Sequence, residues 1–196
     1  QAVVMGMIDY GTCGIDNIQP VEKTFLDGIR VIFKKHFMHE ALDFCADLMR
    51  KGYIVFAQLV SVTSYSDADL MELIRLVNQV KPYTVSMVDT YGLMTPETLE
   101  YYFTILDRYV DESVCIGYHA HNNFQLGFAN VMSMVNKHSD RDILVDGTLF
   151  GMGKSAGNAP LELIAMYLNQ KYEGNYRINP MLEASDESIM SFYRKS

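Results

Sequence analysis

Short apolar runs alternate with longer stretches that place an apolar residue at every third or fourth position, from the first residues of the chain to about residue 172. The short runs read as strands at residues 2–8, 28–33, 53–59, 83–88, 113–118 and 143–145. Between them fall helical patterns. Residues 39–51 carry the stripe Ala41, Leu42, Cys45, Leu48 and Met49, stopped by Gly52. Ser66 or Asp67 caps a helix with the stripe Leu70, Leu73, Ile74 and Val77. Thr95-Pro96-Glu97 is a helix start, with proline at the first helical position, followed by Leu99, Tyr102, Phe103 and Leu106. Residues 124–136 turn Phe128, Val131, Met132 and Val135 inward, and Ala159-Pro160 opens a helix with Leu161, Ile164, Ala165 and Leu168. Residues 172–180 read as loop and 183–193 as a short closing helix.

Strands that are continuously apolar and strictly separated by helices predict a parallel sheet covered by helices. An open doubly wound sheet would satisfy this pattern. The polar residues favour a barrel over it, because Asp9, Lys34, Gln58, Asp89, His119 and Asp146 all sit at or just past a strand's carboxyl end. That habit belongs to an α/β fold of the TIM (β/α)8 barrel type. Six units are visible and a barrel needs eight. The first residue, Gln1, opens directly into a strand-like run, so the expectation is a barrel lacking its first two units. The expected layout is a partial barrel over residues 1–180 and a helical extension over 181–196.

Composition narrows the function. The net charge of −8 with no basic patch argues against nucleic-acid binding. No apolar run reaches a membrane span and no signal peptide is read at the start. Three scattered cysteines, Cys13, Cys45 and Cys115, suit a reducing compartment such as the cytoplasm. Cys45 and Cys115 fall in apolar patterns, which leaves Cys13 as the thiol to test for reactivity.

The chemistry centres on Gly117-Tyr118-His119-Ala120-His121-Asn122-Asn123. Positions i and i+2 of a strand share a face, so His119 and His121 can aim two imidazoles at one point, as a divalent metal requires. A catalytic site commonly adds a carboxylate, for which Asp9, Asp89 and Asp146 are candidates; each is also a natural cap or loop partner. The loop Gly151-Met152-Gly153-Lys154-Ser155-Ala156-Gly157-Asn158 leads to a helix N-terminus, a natural place for a carboxylate or phosphoryl group, with Lys154 adding charge. It has neither the P-loop spacing nor the position of a dinucleotide fingerprint. Lys34 reads as a substrate cation, a Schiff-base lysine or a plain surface lysine beside Lys35.

Three stretches carry a family resemblance. Residues 119–130, HAHNNFQLGFAN, resemble the H-x-H-N-x-x-x-L-x-x-A-N signature of the DRE-TIM metallolyases. That superfamily comprises the HMGL-like pyruvate aldolases, isopropylmalate synthases and hydroxymethylglutaryl-CoA lyases. Residues 151–162, GMGKSAGNAPLE, resemble its G-x-G-x-x-x-G-N-x-x-L-E loop, and Asp89-Thr90-Tyr91-Gly92 its D-T-x-G strand end. The resemblance implies a barrel whose third to eighth strands are present. It implies a divalent metal (Mn²⁺ or Mg²⁺, with Zn²⁺ an alternative) on His119 and His121. Asn158 matches a position at or near the metal, and Thr90 one near the substrate, so Asp89, Thr90, Lys154 and Asn158 are the substrate-side candidates. The family's D-x-T-L-R-D-G motif, source of an aspartate ligand and an arginine, is absent, and Asp9-Tyr10-Gly11-Thr12 only echoes it. The catalytic base and arginine are therefore expected upstream of Gln1. The implied activity is that of a class II-type aldolase, a lyase cleaving a 4-hydroxy-2-oxo acid to pyruvate and an aldehyde. The alternatives are a Claisen-type acyltransferase using acetyl-CoA and a non-catalytic metal-binding barrel. The implied partners are a 2-oxo acid, other copies of the chain in a homo-oligomer, and a dehydrogenase that accepts the aldehyde.

Overall fold

A computed structural model describes residues 2–193. Six strands form one sheet: β1 (Met5–Asp9), β2 (Gly28–Phe33), β3 (Ile54–Leu59), β4 (Thr84–Asp89), β5 (Cys115–Ala120) and β6 (Ile143–Val145). Their order is β1-β2-β3-β4-β5-β6. The pairs from β1 to β4 are parallel, with Met5 opposite Gly28, Gly28 opposite Ile54, and Phe56 opposite Thr84. Each strand lies beside its predecessor, so the order never reverses. A doubly wound sheet needs such a reversal, and a β/α barrel does not. The sheet is that of a TIM-type barrel, with six of its eight units in the chain.

The helices are α1 (Met38–Arg50), α2 (Asp67–Val80), α3 (Pro96–Tyr109), α4 (Gly127–Val135), α5 (Leu161–Tyr172), α6 (Ile178–Ala184) and α7 (Met190–Tyr193). The chain divides into two compact units. One takes in Gln1–Val88, Glu100–Gly117 and Ser139–Leu144; the other takes in Asp89–Leu99, Tyr118–His138 and Val145–Ser196.

In the first unit, α1 buries Ala41, Leu42, Cys45 and Leu48 against β2 and β3, and packs beside α2. Ser66 starts α2 with a full capping box: its hydroxyl accepts from the Asp69 amide, and the Asp69 carboxylate accepts from the Ser66 amide at 2.9 Å. These amide and hydroxyl bonds, with Lys35 at 3.0 Å, hold the Asp69 carboxyl at about 2. A polar row crosses the sheet. Arg30 donates to Gln58 at 3.2 Å, and Gln58 donates to the Ser86 hydroxyl at 3.0 Å. Gly117 leaves room for Ser86, since a Cβ there would collide with its hydroxyl.

Two expectations are corrected here. Residues 2–8 were expected to form a buried strand, but β1 begins at Met5, and Val3, Val4 and Met7 are exposed. The sheet order makes β1 an edge strand with one neighbour, which explains the exposure. The closing helix was expected at 183 but begins at Ile178, so part of the stretch read as loop is helical. Pro180 lies in the first turn of α6, where its missing N–H breaks no intrahelical bond. A π-helical segment, Ser185–Ile189, joins α6 to α7.

Burial lifts the Cys45 thiol to about 12 and also raises Cys115, while Cys13 is only half-buried. Ellman's reagent is expected to titrate one thiol, Cys13, in the native chain and three in urea. A second thiol reacting at the Cys13 rate would contradict the packing. Among the described residues, no helix is long and apolar enough to cross a membrane.

Candidate metal and substrate site

Every residue singled out by the three motifs falls in the second unit. Strand β5 runs on through His119 to Ala120, and His121 follows in an isolated antiparallel bridge with Asn158. The two imidazole centroids are 5.2 Å apart, with the rings inclined at 72°. The shared-face geometry expected from the i, i+2 spacing is therefore present.

Each ring has one nitrogen held by a partner. His119 Nδ1 lies 2.9 Å from Asp146 Oδ2, just past β6. A ring N–H of His121 donates to the Lys154 carbonyl. One nitrogen per ring remains for a ligand, the arrangement in which outer partners fix the tautomer of metal-binding histidines. Burial keeps His121 below the usual imidazole range, and the neighbouring His119 adds to the effect. A neutral imidazole is the ligand form.

Of the three carboxylate candidates, Asp146 is the partner of His119. Asp89 is 3% exposed and faces the chain's own backbone: Leu93 N–H donates to Oδ1 at 3.1 Å and Met94 N–H to Oδ2 at 3.0 Å. Burial nonetheless raises its carboxyl above the ordinary range. It shapes the Thr90-Tyr91-Gly92 turn. Asp9, like Lys34, belongs to the first unit, and both are exposed.

The glycine loop is built around Asn158, which is 8% exposed. Its Nδ2 donates to the Met152 carbonyl at 3.2 Å and approaches the Thr148 hydroxyl at 3.5 Å. Its Oδ1 is buried without a hydrogen-bond partner. A buried amide oxygen left bare costs roughly 1–3 kcal/mol, so such an atom asks for a ligand. Gly153 makes room for this side chain, because a Cβ there would stand 2.5 Å from Asn158 Nδ2. Glu162, 8% exposed, anchors the loop from α5 by accepting the Phe150 N–H at 3.0 Å.

Several amides of the loop expected to receive an anion are engaged within the chain. The amides of Ala156, Gly157 and Asn158 go to Asn123 Oδ1, the Lys154 carbonyl and the Gly151 carbonyl. Leu161 N–H goes to the Thr148 carbonyl. The Lys154 side chain is exposed on the same loop.

Sequence reasoning passed over Asn123, Glu162 and the Lys154 carbonyl. Asn123 fills an unspecified position of one motif, Glu162 closes another without a role that the spacing assigns, and a carbonyl leaves no mark in a sequence. Gly157 is bound to its place by a φ of +89° and by the Gly151 carbonyl, which an added Cβ would strike. Gly157→Ala is expected to cost about 1–3 kcal/mol in thermal unfolding. A melting curve unchanged from wild type would contradict this loop geometry.

Among the described residues, no group of three or more His, Cys, Asp or Glu is arranged to hold a metal ion. The donor set on offer is two neutral-capable imidazoles and the amide oxygen of Asn158. Nitrogen and oxygen donors of this kind suit a first-row divalent cation, so the residues fit the group the motifs imply.

The comparisons with known proteins agree with the motifs. Residues 36–186 match the HMGL-like family model. The chain is 26% identical over 178 residues to the 4-hydroxy-2-oxovalerate aldolase of Marinomonas sp., covering 87% of this chain and 49% of that protein. It is 30% identical over 145 residues to 4-hydroxy-2-oxovalerate aldolase 2 of Salinispora arenicola, covering 74% of this chain and 39% of that protein. The chain thus spans half or less of the length of these relatives. The crystal structure of the N-terminal domain of a putative aldolase from Bacteroides vulgatus superposes with a TM-score of 0.78 at 20% identity, over 97% of this chain and 64% of that one. That likeness speaks for the fold. With its sequential parallel sheet, its histidine pair and its glycine loop, the chain belongs to the HMGL-like family of the DRE-TIM superfamily.

Proposed function

We propose that this chain carries the metal-holding side of an aldolase that cleaves a 4-hydroxy-2-oxo acid to pyruvate and an aldehyde. The observation that carries this reading is the bare, buried Oδ1 of Asn158 in a loop bridged to His121, whose ring and that of His119 each keep one nitrogen for a ligand. The relatives named 4-hydroxy-2-oxovalerate aldolase support this reading.

His119 and His121 are the proposed ligands, with Asn158 Oδ1 the third donor. A divalent cation held there, manganese or magnesium, would supply Lewis acidity to a 2-oxo acid. Asp146 holds the His119 ring in one tautomer by accepting at Nδ1, so the other nitrogen stays a donor of electrons. The Lys154 carbonyl does the same for His121. The Lys154 ammonium, exposed on the glycine loop, is the proposed partner of the substrate carboxylate. Asp89 holds the turn after β4 by accepting the Leu93 and Met94 amides, and Thr90 in that turn is a proposed substrate contact. The aldehyde, the general base and the enolate-stabilising arginine are not assigned to residues of this chain.

The test is a pair of assays on the protein with Mn²⁺ and a 4-hydroxy-2-oxo acid such as 4-hydroxy-2-oxopentanoate. Stoichiometric metal with pyruvate release supports the reading. Metal with CoA release from acetyl-CoA and a 2-oxo acid would replace it with the acyltransferase. Metal without either product would leave a binding domain, and no metal would overturn the site.

A further inference from the structure

We infer that Asn123 is a positioning residue that clasps two loops of the site to each other and to the histidine-bearing strand. It lies two residues past His121, at a position that the H-x-H-N-x-x-x-L-x-x-A-N signature leaves unspecified. Its amide uses both ends. Nδ2 donates to the Tyr91 carbonyl at 2.8 Å, in the turn after β4. Oδ1 accepts the Ala156 N–H at 3.1 Å, in the glycine loop. One side chain therefore joins the turn that carries Thr90 to the loop that carries Lys154 and Asn158.

The backbone on either side repeats the connection. Asn122 N–H donates to the Gly157 carbonyl at 2.9 Å, and Phe124 N–H to the Gly92 carbonyl at 2.9 Å. Gly92 is at φ +61°, and a Cβ there would stand 2.5 Å from the Asn123 amide nitrogen. The turn therefore presses directly on the Asn123 backbone. Asn122 is occupied elsewhere: its Oδ1 accepts the Gly127 N–H at 2.9 Å at the start of α4. Neighbouring asparagines thus have separate tasks, one starting a helix and the other holding loops. Asn123 needs a donor and an acceptor on two separate atoms, which an amide has; an ionised carboxylate has no donor, and a hydroxyl carries both functions on one atom.

The functional meaning rests on the proposed metal site. The clasp sets Asn158 Oδ1 and the Lys154 carbonyl against the histidines, and it sets Thr90 at a fixed place relative to them. Losing it should weaken metal binding without removing any ligand. Outer partners of ligands commonly cost about 10–100-fold in metal affinity when lost.

The experiment measures amide hydrogen exchange over residues 89–94 and 151–158 in the metal-free protein, and Mn²⁺ affinity beside it. In Asn123→Ala, both segments are expected to exchange faster together, by roughly fivefold per lost hydrogen bond, while α1 stays protected as in wild type. Asn123→Asp keeps the acceptor for Ala156 and loses the donor to Tyr91. In that variant, residues 89–94 are expected to loosen while 151–158 stay protected. A merely destabilised protein would loosen α1 as well and would show no such split. Unchanged exchange in both segments, or the same pattern in both variants, overturns the clasp. If wild type binds no Mn²⁺ while the exchange pattern holds, the clasp stands and the metal reading falls. If Asn123→Ala does not fold, the Asn123→Asp pattern alone decides.

Discussion

On the proposed aldolase reading, His121→Ala is expected to abolish stoichiometric Mn²⁺ binding and to lower pyruvate release by roughly a thousandfold, with little change in melting temperature. The size follows from the several kcal/mol that a bound cation contributes to a reaction passing through developing negative charge. The chain keeps its fold because the imidazole packs in no core: both rings are part-exposed, and the neighbouring strand residues Tyr118 and Ala120 supply the burial. His119→Ala should behave alike. Asp146→Asn gives a graded result that separates ligand from partner. The amide can offer Nδ1 of His119 a donor where an acceptor is required, so metal affinity should fall about 10–100-fold rather than vanish. Equal losses in Asp146→Asn and His121→Ala, read by calorimetry with Mn²⁺, would mean that Asp146 is itself a ligand.

Arg141→Ala is expected to destabilise the first unit by about 3–5 kcal/mol. The guanidinium side chain is 9% exposed. Its Nε donates to Asp107 Oδ1 at 3.1 Å. Nη1 donates to the carbonyls of Asp111 and Val114, both at 2.9 Å. Nη2 donates to the carbonyls of Asp107 at 2.9 Å and Val110 at 3.0 Å. These carbonyls lie in the last turn of α3 and the chain leaving it, where the helix itself supplies no donors. The positive charge also stands at the negative end of the helix dipole. Alanine would leave the acceptors bare and Asp107 without its counter-ion. Arg141→Lys should recover only part of the loss, since one ammonium cannot reach four carbonyls that a planar fork reaches. Urea unfolding measures it, and a loss below about 1 kcal/mol for Arg141→Ala would show that water replaces these bonds at little cost.

The strand–helix alternation was legible because each element signals through its own neighbours: period in Leu70, Leu73, Ile74 and Val77, a cap in Ser66, a proline at Pro96. The histidine pair was legible for the same reason, since i and i+2 on a strand need no long-range information. What the sequence hid depended on partners far along the chain. Three aspartates at strand ends looked equivalent, and only the fold shows that Asp146 meets a histidine ring while Asp89 meets amides. Arg141 reads as one surface charge among others until α3 is placed beside it. The exposure of Val3, Val4 and Met7 follows from the place of β1 at the sheet edge, which an apolar run cannot announce. The helical start at Ile178 was masked by Pro180, whose usual reading as a breaker fails within a first turn.

The most direct measurement is an anomalous-scattering map from crystals of this chain soaked in MnCl2. A single manganese peak bonded to both His119 and His121 is expected, with Asn158 Oδ1 turned toward it and His119 Nδ1 still held by Asp146. No peak at the histidines, or a peak that leaves one ring and the Asn158 oxygen unbonded, would contradict it.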